Sequence, residues 1–346
     1  MDGTIAAVLL MDGLANGAVY ALLGMAIVLV FAVTRVIFIP QGEFVAYGAL
    51  TLAMLQAGRL PGTVWLALLL AGLAAARTLF DGWRVQAPAA SLLRQLAVLC
   101  GPPLAAALAV ALISGHATPL WLQACLSLAL VTSLGPLVWR LAYQPVADAS
   151  VLLLLIVSVG VHFALVGLSL VFFGAEGYRT PPFWDASFQW GAVGVSGQTI
   201  VVLAATAALL VGLWQFFTHT LAGKALRATA VNRLGARLMG ISTERAGRDA
   251  FSMAAFIGAL SGLLIGASTT IVYDSGFLIG LKGFIAAIFG GLASYPMAGA
   301  GALFIGLLDS FGSFWASAWK EVIVFTAILP VLLLRSLTDP AHDEDA

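Results

Sequence analysis

Residues 224–248 have the sequence KALRATAVNRLGARLMGISTERAGR and interrupt an otherwise apolar chain. This stretch carries six of the 16 lysines and arginines in the 346-residue sequence. Apolar runs of roughly bilayer length precede and follow it. Because lysine and arginine concentrate in the cytoplasmic loops of membrane proteins, the stretch predicts a folded cytoplasmic segment that is offered to a soluble partner.

The composition of the whole chain is typical of a membrane protein. Hydrophobic residues make up 61% of the sequence, charged residues make up 9%, and the mean hydropathy is +1.03. Inside a bilayer every backbone N–H and C=O must be paired within its own segment, so a span of about 20 apolar residues is expected to be helical. We therefore predict an all-α, polytopic transmembrane helical bundle in a single transmembrane domain, residues 1–346.

Apolar windows bounded by charges, proline or glycine clusters predict about 9 to 11 spans. The second, third and ninth windows are short enough to be broken or re-entrant helices. The windows are residues 5–34, 41–57, 62–79, 95–114, 119–139, 150–173, 199–217, 249–272, 278–294, 297–315 and 320–336.

The basic residues also predict the orientation. If the first helix begins outside and the last one ends inside, twelve of the 16 basic residues lie in the cytoplasm, as the positive-inside rule requires. We therefore predict a multi-pass membrane protein with its N-terminus outside and its C-terminus in the cytoplasm. The twelve residues are Arg35, Arg77, Arg84, Arg94, Arg140, Lys224, Arg227, Arg233, Arg237, Arg245, Arg248 and Arg335.

The residues that several other activities need are missing from the sequence. Gly223 and Lys224 are followed by Ala225 and lack the upstream glycine of a Walker A motif, so this chain is not expected to bind ATP itself. The sequence contains no HExxH, CxxC or GxSxG motif, and its basic residues form no continuous stripe for a nucleic acid. We expect no catalytic residues, no metal site, no cofactor and no nucleic-acid partner.

Glycines at four-residue spacing predict close helix packing, because they lie on one helix face and let a neighbouring backbone approach. Gly258, Gly262 and Gly266 have this spacing in one span, and Gly13 and Gly17 repeat it in the first.

Polar residues within the apolar spans are candidates for a transport pathway, because such residues are costly in lipid and face the bundle interior by default. Glu43 follows Pro40, where a helix is expected to restart, and it could cap exposed amides instead of contacting a solute. His162 is interpreted as a helix contact in preference to a proton relay, and Lys320 and Glu321 as residues that snorkel to the outer interface. The candidate pathway-lining residues are Asn16, Gln41, Glu43, Lys282 and Phe284.

The basic stretch predicts two short helices joined by a turn. Asn232 can cap a helix that includes Leu234 and Leu238, and Gly240 can end it in a left-handed conformation. A short helix with exposed apolar side chains can enter a groove on another protein.

Several motifs resemble the permease subunits of the branched-chain amino-acid (LIV-type, hydrophobic amino acid uptake) family of ABC importers. One departure precedes Gly42, where Phe38 to Gln41 replace the Asn-Phe-Ala-His-type run usual in that family. The matching motifs are LMDGLANGAVYALLGMAIVLVFAVTRVI at 10–37, GEFVAYGA at 42–49, RLAYQPVADAS at 140–150, GKALRATAVNRLGARLMGI at 223–241, GLKGFIAAIFGGLASYP at 280–296 and KEVIVF at 320–325.

The resemblance implies that residues 1–346 form a single type II importer-like permease domain in the bacterial inner membrane, which makes up half of a translocation pathway. Residues 75–120 would be an inserted pair of helices, and residues 218–248 a cytoplasmic coupling loop. The implied partners are a second related permease subunit, two ABC ATPase subunits that bind ATP and Mg, an extracytoplasmic solute-binding protein and the lipid bilayer. The implied ATPase-coupling residues are Lys224, Arg227, Ala228, Asn232, Arg233, Gly235, Ala236, Arg237, Gly240 and Ile241.

The solute stays open at this point. Relatives of this type carry branched-chain amino acids, other amino acids, urea, and aromatic or other carboxylates. An alternative of a different class also stays open, namely an ion- or proton-coupled secondary transporter that works without an ATPase. That alternative needs buried carboxylates in broken helices, for which Glu43, Asp274 and Asp309 are the candidates.

Overall fold

The computed structural model describes residues 3–116, 118–190 and 193–338, and this part of the chain is almost entirely helical. The ends of the sequence, on which the predicted positions of the two termini depend, lie outside these ranges. The helices are α1 (Gly3–Thr34), α2 (Gln41–Gln56), α3 (Gly62–Arg84), α4 (Ala89–Ile113), α5 (Leu120–Val138), α6 (Val151–Phe173), α7 (Gly197–His219), α8 (Leu221–Val231), α9 (Arg233–Leu238), α10 (Thr243–Ile265), α11 (Ser275–Phe289), α12 (Tyr295–Trp315), α13 (Lys320–Thr326) and α14 (Ile328–Thr338).

Eight of the described helices are long and apolar enough to cross a membrane, which confirms the predicted helical bundle. They are α1, α3, α4, α5 with the turns that follow it, α6, α7, α10 and α12. The windows at α2 and α11, predicted to be short, form helices of 16 and 15 residues. The short antiparallel strands Ser187–Trp190 (β1) and Val193–Ser196 (β2) lie between α6 and α7.

Several of the predicted windows differ from the helices in their bounds; the window 249–272, for example, corresponds to α10, which runs from Thr243 to Ile265. The third span does not stop near residue 79, because α3 continues to Arg84 and the hairpin to α4 turns within residues 85–88. Arg77 lies inside α3 and Arg94 inside α4. The last window is divided at Ala327 into α13 and α14. Pro330 has no N–H to donate to the carbonyl of Thr326, so the helix cannot run through this point unbroken.

The core is formed by α1, α2, α5, α10, α11 and α12. Gly258 and Gly262 on α10, and Gly266 at its C-terminal cap, all lie against α2, where a Cβ atom would meet Phe44, Val45 or Ala49. Gly13 and Gly17 on α1 meet the backbone of α12 in the same way, at Leu303 and Leu307. Both sets of glycines thus stand at backbone-to-backbone crossings of the kind expected for small residues in membrane helices.

The outer helices leave apolar side chains exposed. The most apolar windows of α4 and α6 are each only 22% buried, and that of α7 is 11% buried. Exposed residues of this kind include Leu108 on α4, Phe163 on α6 and Val211 on α7. Lipid tails solvate such surfaces without cost, so these helices have the character of a lipid-facing layer around the core.

Candidate functional site

The first candidate site lies where α2 begins. The chain leaves α1 at Arg35, which has a left-handed φ of 61°, and returns through a buried segment to Gln41. Gln41 Nε2 donates a hydrogen bond to the carbonyl of Ala254 at 2.9 Å. Ala254 is at the middle of α10, so α2 starts level with the middle of a spanning helix and not at its end.

A second short helix, α11, begins at the same place. A Cβ atom on Gly42, Gly276 or Gly280 would overlap the backbone of the facing helix, so the first turns of α2 and α11 are in direct contact. Two interrupted helices that start side by side in a bundle interior leave backbone N–H groups without intrahelical partners. In transporters such breaks form binding sites for solutes and ions.

Buried polar side chains surround these two helix starts. Glu43 is fully buried, and its Oε1 lies 3.1 Å from Nδ1 of His162 on α6. The His162 ring lies 4.9 Å from that of Phe277, at the start of α11. Gln41 Oε1 and Glu43 Oε2 have no hydrogen-bond partner among the described residues. We call Gln41, Glu43 and His162, with the starts of α2 and α11, the half-helix cluster. It offers acceptor oxygens to which a polar solute could donate a hydrogen bond or a proton could bind.

A second cluster of charges lies between α1, α11, α12 and α13. Lys282 Nζ is 2.8 Å from Asp309 and 3.2 Å from Glu321, and Lys320 Nζ is 3.3 Å from Asp309. Tyr20 donates a hydrogen bond to the same aspartate at 3.0 Å. Two cations and two anions make the cluster neutral as a whole, which lowers the cost of holding charges inside a bundle. Snorkelling does not account for Lys320 and Glu321, because both turn inward to this cluster.

The structure does not bring all the predicted pathway residues together. Gln41 and Glu43 belong to the half-helix cluster, and Lys282 belongs to the charge cluster. Phe284 packs against an apolar group that includes Ile27. Asn16 is half-buried on α1 and makes no side-chain hydrogen bond within the described ranges.

Sequence reasoning missed Tyr20 and gave His162 only a helix contact. The sequence shows that His162 is a polar residue in an apolar run. It does not show that Glu43 is its neighbour. Tyr20 carried no signal, because tyrosine is common near membrane interfaces.

The basic loop between α7 and α10 is rigidly capped. Thr220 accepts a hydrogen bond from the N–H of Gly223 and starts α8, and Asn232 accepts one from the N–H of Gly235 at 2.8 Å and starts α9. Gly240 follows α9 with a left-handed φ of 80°, and Ser242 caps α10. Side-chain caps of this kind each stabilise a helix start by about 1 kcal/mol.

The loop is also attached to the bundle. Arg233 donates a hydrogen bond to the carbonyl of Ala147 at 2.9 Å, and both Arg233 and Arg237 lie within 4 Å of Asp148. Ala236 is only 4% exposed, because it is turned toward the bundle. It is therefore unsuited to direct contact with a partner, although the resemblance placed it among the coupling residues.

The outward surface of the loop carries large apolar side chains. Leu234 is 67% exposed, Leu238 80% and Met239 82%. Lys224, Arg227 and Ala228 are exposed as well, whereas Gly235 and Ile241 are half-buried. We call Leu234, Leu238 and Met239 the apolar knob. A group of exposed apolar side chains with a polar or charged border is typical of a protein interaction site, and an ordinary solvated loop does not need one.

Comparison with known proteins shows that this chain is similar to membrane permeases. The profile of a family described as the permease component of branched-chain amino acid transport systems matches residues 96–333. The high-affinity branched-chain amino acid transport system permease protein BraD of Pseudomonas aeruginosa is 27% identical over 216 residues, which are 60% of this chain and 70% of that protein.

Two further similarities are weaker or more distant. The permease protein LivH of Escherichia coli K12 is 27% identical over 60% of this chain and 70% of its own length. A solved complex titled PsaBC from Streptococcus pneumoniae with Fab overlaps 98% of this chain at 12% identity, with a TM-score of 0.39, which is too low to support an argument about the fold. The profile match covers more than half of the sequence, and the chain therefore belongs to the family of branched-chain amino acid transport permease components.

Proposed function

We propose that the chain is one permease subunit of an ABC importer in the inner membrane, that it carries branched-chain amino acids or a closely related solute, and that separate ATPase subunits drive it through the α8–α9 loop. Family membership supports the permease role. The single observation that supports the docking role is the apolar knob on a loop that is capped, basic and braced against the bundle.

The contacts of the loop suggest how force would reach the transport pathway. Leu226 on α8 is buried against Leu29 and Val33 at the end of α1 and against Ala246 and Ala250 at the start of α10. The helices α1 and α10 in turn hold α11, α12 and α2 through glycine crossings. A displacement of the loop would therefore move the helices that form the half-helix cluster.

The same contacts support the predicted orientation. The loop, the end of α1 and the turn between α5 and α6 are together at one end of the bundle, and most basic residues are there. By the positive-inside rule this end faces the cytoplasm, where ATPase subunits reside. The remaining proposed partners are a second permease subunit that completes the pathway and an extracytoplasmic binding protein that delivers the solute.

In this proposal Gln41 and Glu43 lie on the solute pathway. Their free acceptor oxygens suit the ammonium group of an amino acid, and they are closed off from solvent in the present conformation. Alternating access would open this cluster only while solute passes. Tight binding and selection would then be left to the binding protein.

The docking role is tested by placing a charge in the apolar knob. Leu238→Asp should weaken ATPase association by about 2 kcal/mol or more, roughly 30-fold, because a buried interface residue becomes a desolvated carboxylate. The control is Val85→Asp, because Val85 is 78% exposed in the α3–α4 turn at the same end of the bundle. Association is measured by copurification and by surface plasmon resonance with the ATPase subunit. Equal ATPase affinity of the two variants would contradict docking at the apolar knob.

The buried Glu43–His162 pair also favours the secondary-transport alternative, since a carboxyl and an imidazole in contact can hold a proton. The other two carboxylates of that hypothesis fit it less well, because Asp309 is already paired with Lys282 and Lys320 and Asp274 is exposed. Uptake driven by a proton gradient in the absence of an ATPase is the behaviour that separates this alternative from the importer.

A further inference from the structure

A cleft lined by arginines lies outside both candidate pathway clusters. It has a volume of about 840 Å³ and is enclosed by α3, α4, the end of α5 and the start of α10. Arg94, Arg140, Arg245 and Arg248 line it, and Glu244 is the single acidic residue in its lining. We call it the arginine cleft. Its size falls within the range of pockets that bind small organic ligands.

The four arginines are not all neutralised by the protein. Arg140 pairs with Asp81 at 2.9 Å, and Arg248 lies 3.4 Å from the neighbouring Asp249. Arg94 and Arg245 form no ion pair with any described residue. The cleft thus keeps two guanidinium groups free for an anion. Guanidinium groups bind phosphate oxygens in a two-pronged geometry that a single ammonium cannot reproduce.

The wall of the cleft supplies a further polar group and an apolar surface. Trp139 lines the cleft, is 2% exposed, and has an indole N–H with no acceptor in the described part of the chain. Val98 and Leu99 on α4 also line it, and Val98 is 52% exposed. The lining therefore combines hydrogen-bond donors with hydrocarbon, which matches an amphiphile better than a fully polar ion.

The four arginines lie near the ends of spanning helices, where lipid headgroups are expected. Arg245 and Arg248 are in the first turns of α10, Arg140 lies two residues after the end of α5, and Arg94 is in the second turn of α4. All of them are thus near the ends of spanning helices, at the same end of the bundle as the basic loop. Basic pockets between helices at this level bind anionic headgroups in other membrane proteins.

We propose that the arginine cleft binds the phosphate group of an anionic glycerophospholipid, with its acyl chains along Val98 and Leu99. The inserted helix α4 supplies one wall, and the first turns of α10, which continue directly from the coupling loop, supply the opposite wall. A lipid in the cleft would therefore connect the inserted hairpin to the base of that loop. This site contains none of the proposed pathway residues and no residue of the apolar knob.

The proposal is tested with the full-length chain purified in detergent. Native mass spectrometry measures the Kd of dioleoyl phosphatidylglycerol, with dioleoyl phosphatidylethanolamine as the zwitterionic comparison and inorganic phosphate as a soluble competitor. The variants are Arg94→Gln and Arg245→Gln, and the matched control is Arg84→Gln. Arg84 is exposed in the same hairpin and contacts Phe80, but it does not line the cleft. Unchanged thermal melting shows that each variant is folded.

We expect each cleft variant to weaken phosphatidylglycerol binding by about fivefold and the control to change it by less than about twofold. Preference for phosphatidylglycerol over phosphatidylethanolamine should fall in parallel. Three results would overturn the proposal: an equal loss in the control, no preference between the two lipids, or displacement of the lipid by millimolar inorganic phosphate. The last of these would assign the cleft to a soluble phosphate-bearing anion.

Discussion

Each of the two polar clusters depends on a few charged or polar side chains, which connect helices that are distant in sequence. Glu43 contacts His162 in one, and Lys282 contacts Asp309 in the other. Charges inside an apolar bundle are tolerated only when their partners are close, so these pairs also hold the helices in register. Each cluster links helices of the core to helices outside it or at its edge.

Lys282→Met tests the charge cluster. The change leaves Glu321 without its contact and Asp309 with Lys320 and the Tyr20 hydroxyl, so it should reduce stability by about 3 kcal/mol. Lys320→Met is the control, because the Lys320 side chain is 28% exposed and Lys282 still neutralises Asp309; its expected cost is about 1 kcal/mol or less. Thermal melting in detergent compares the two variants. Similar Tm values would show that Lys282 does not hold the cluster together.

The sequence predicted some of this cluster chemistry but not its geometry. Pro40 before Gln41 and Glu43 is a local signal, and α2 does start there. The partner of Glu43 could not be predicted, because His162 is remote in the chain and only tertiary packing brings the two together. Lys320 and Glu321 were misassigned for the same reason. Two adjacent charged residues beside an apolar run have the same sequence pattern whether their side chains face lipid headgroups or a buried charge cluster.

At the level of helices, close crossings decide the arrangement of the core. The glycines of α10 let α2 approach until backbones touch, and this contact fixes the depth at which α2 begins. Glycine spacing alone predicted that such faces exist. It did not say which helix packs on which, since a small residue every four positions fits any close neighbour.

Gly262→Ala tests the crossing of α2 and α10. An added Cβ would overlap the carbonyl of Val45, so we expect a loss of about 1–3 kcal/mol from overpacking. Gly160→Ala is the matched control, because Gly160 is also within a helix but has open space where a Cβ would be. There the better helix propensity of alanine should raise stability by up to about 1 kcal/mol. The Tm of each variant is measured by thermal melting. A Tm of Gly262→Ala equal to or higher than that of the unchanged protein would contradict the crossing.

At the level of the whole molecule, helix content and the membrane class were predictable, because composition and span length follow from the solvent that surrounds the protein. The ends of helices were less predictable where contacts of polar side chains, instead of the length of an apolar run, determine them. The continuation of α3 to Arg84 is an example, since Asp81 near its end is paired to Arg140 on another segment. The division of the last window could have been predicted from Pro330.

In the proposed function the bundle has no energy source of its own and is driven by ATPase subunits through the basic loop. The direct test is uptake of radiolabelled leucine into proteoliposomes. One set contains this chain with the permease, ATPase and binding-protein subunits that copurify with it, with ATP on the side of the basic loop. The other set contains this chain alone under an imposed proton gradient.

We predict ATP-dependent uptake in the first set that is lost with Leu238→Asp and kept with Val85→Asp, and no uptake in the second set. Gradient-driven uptake by the chain alone would contradict the account.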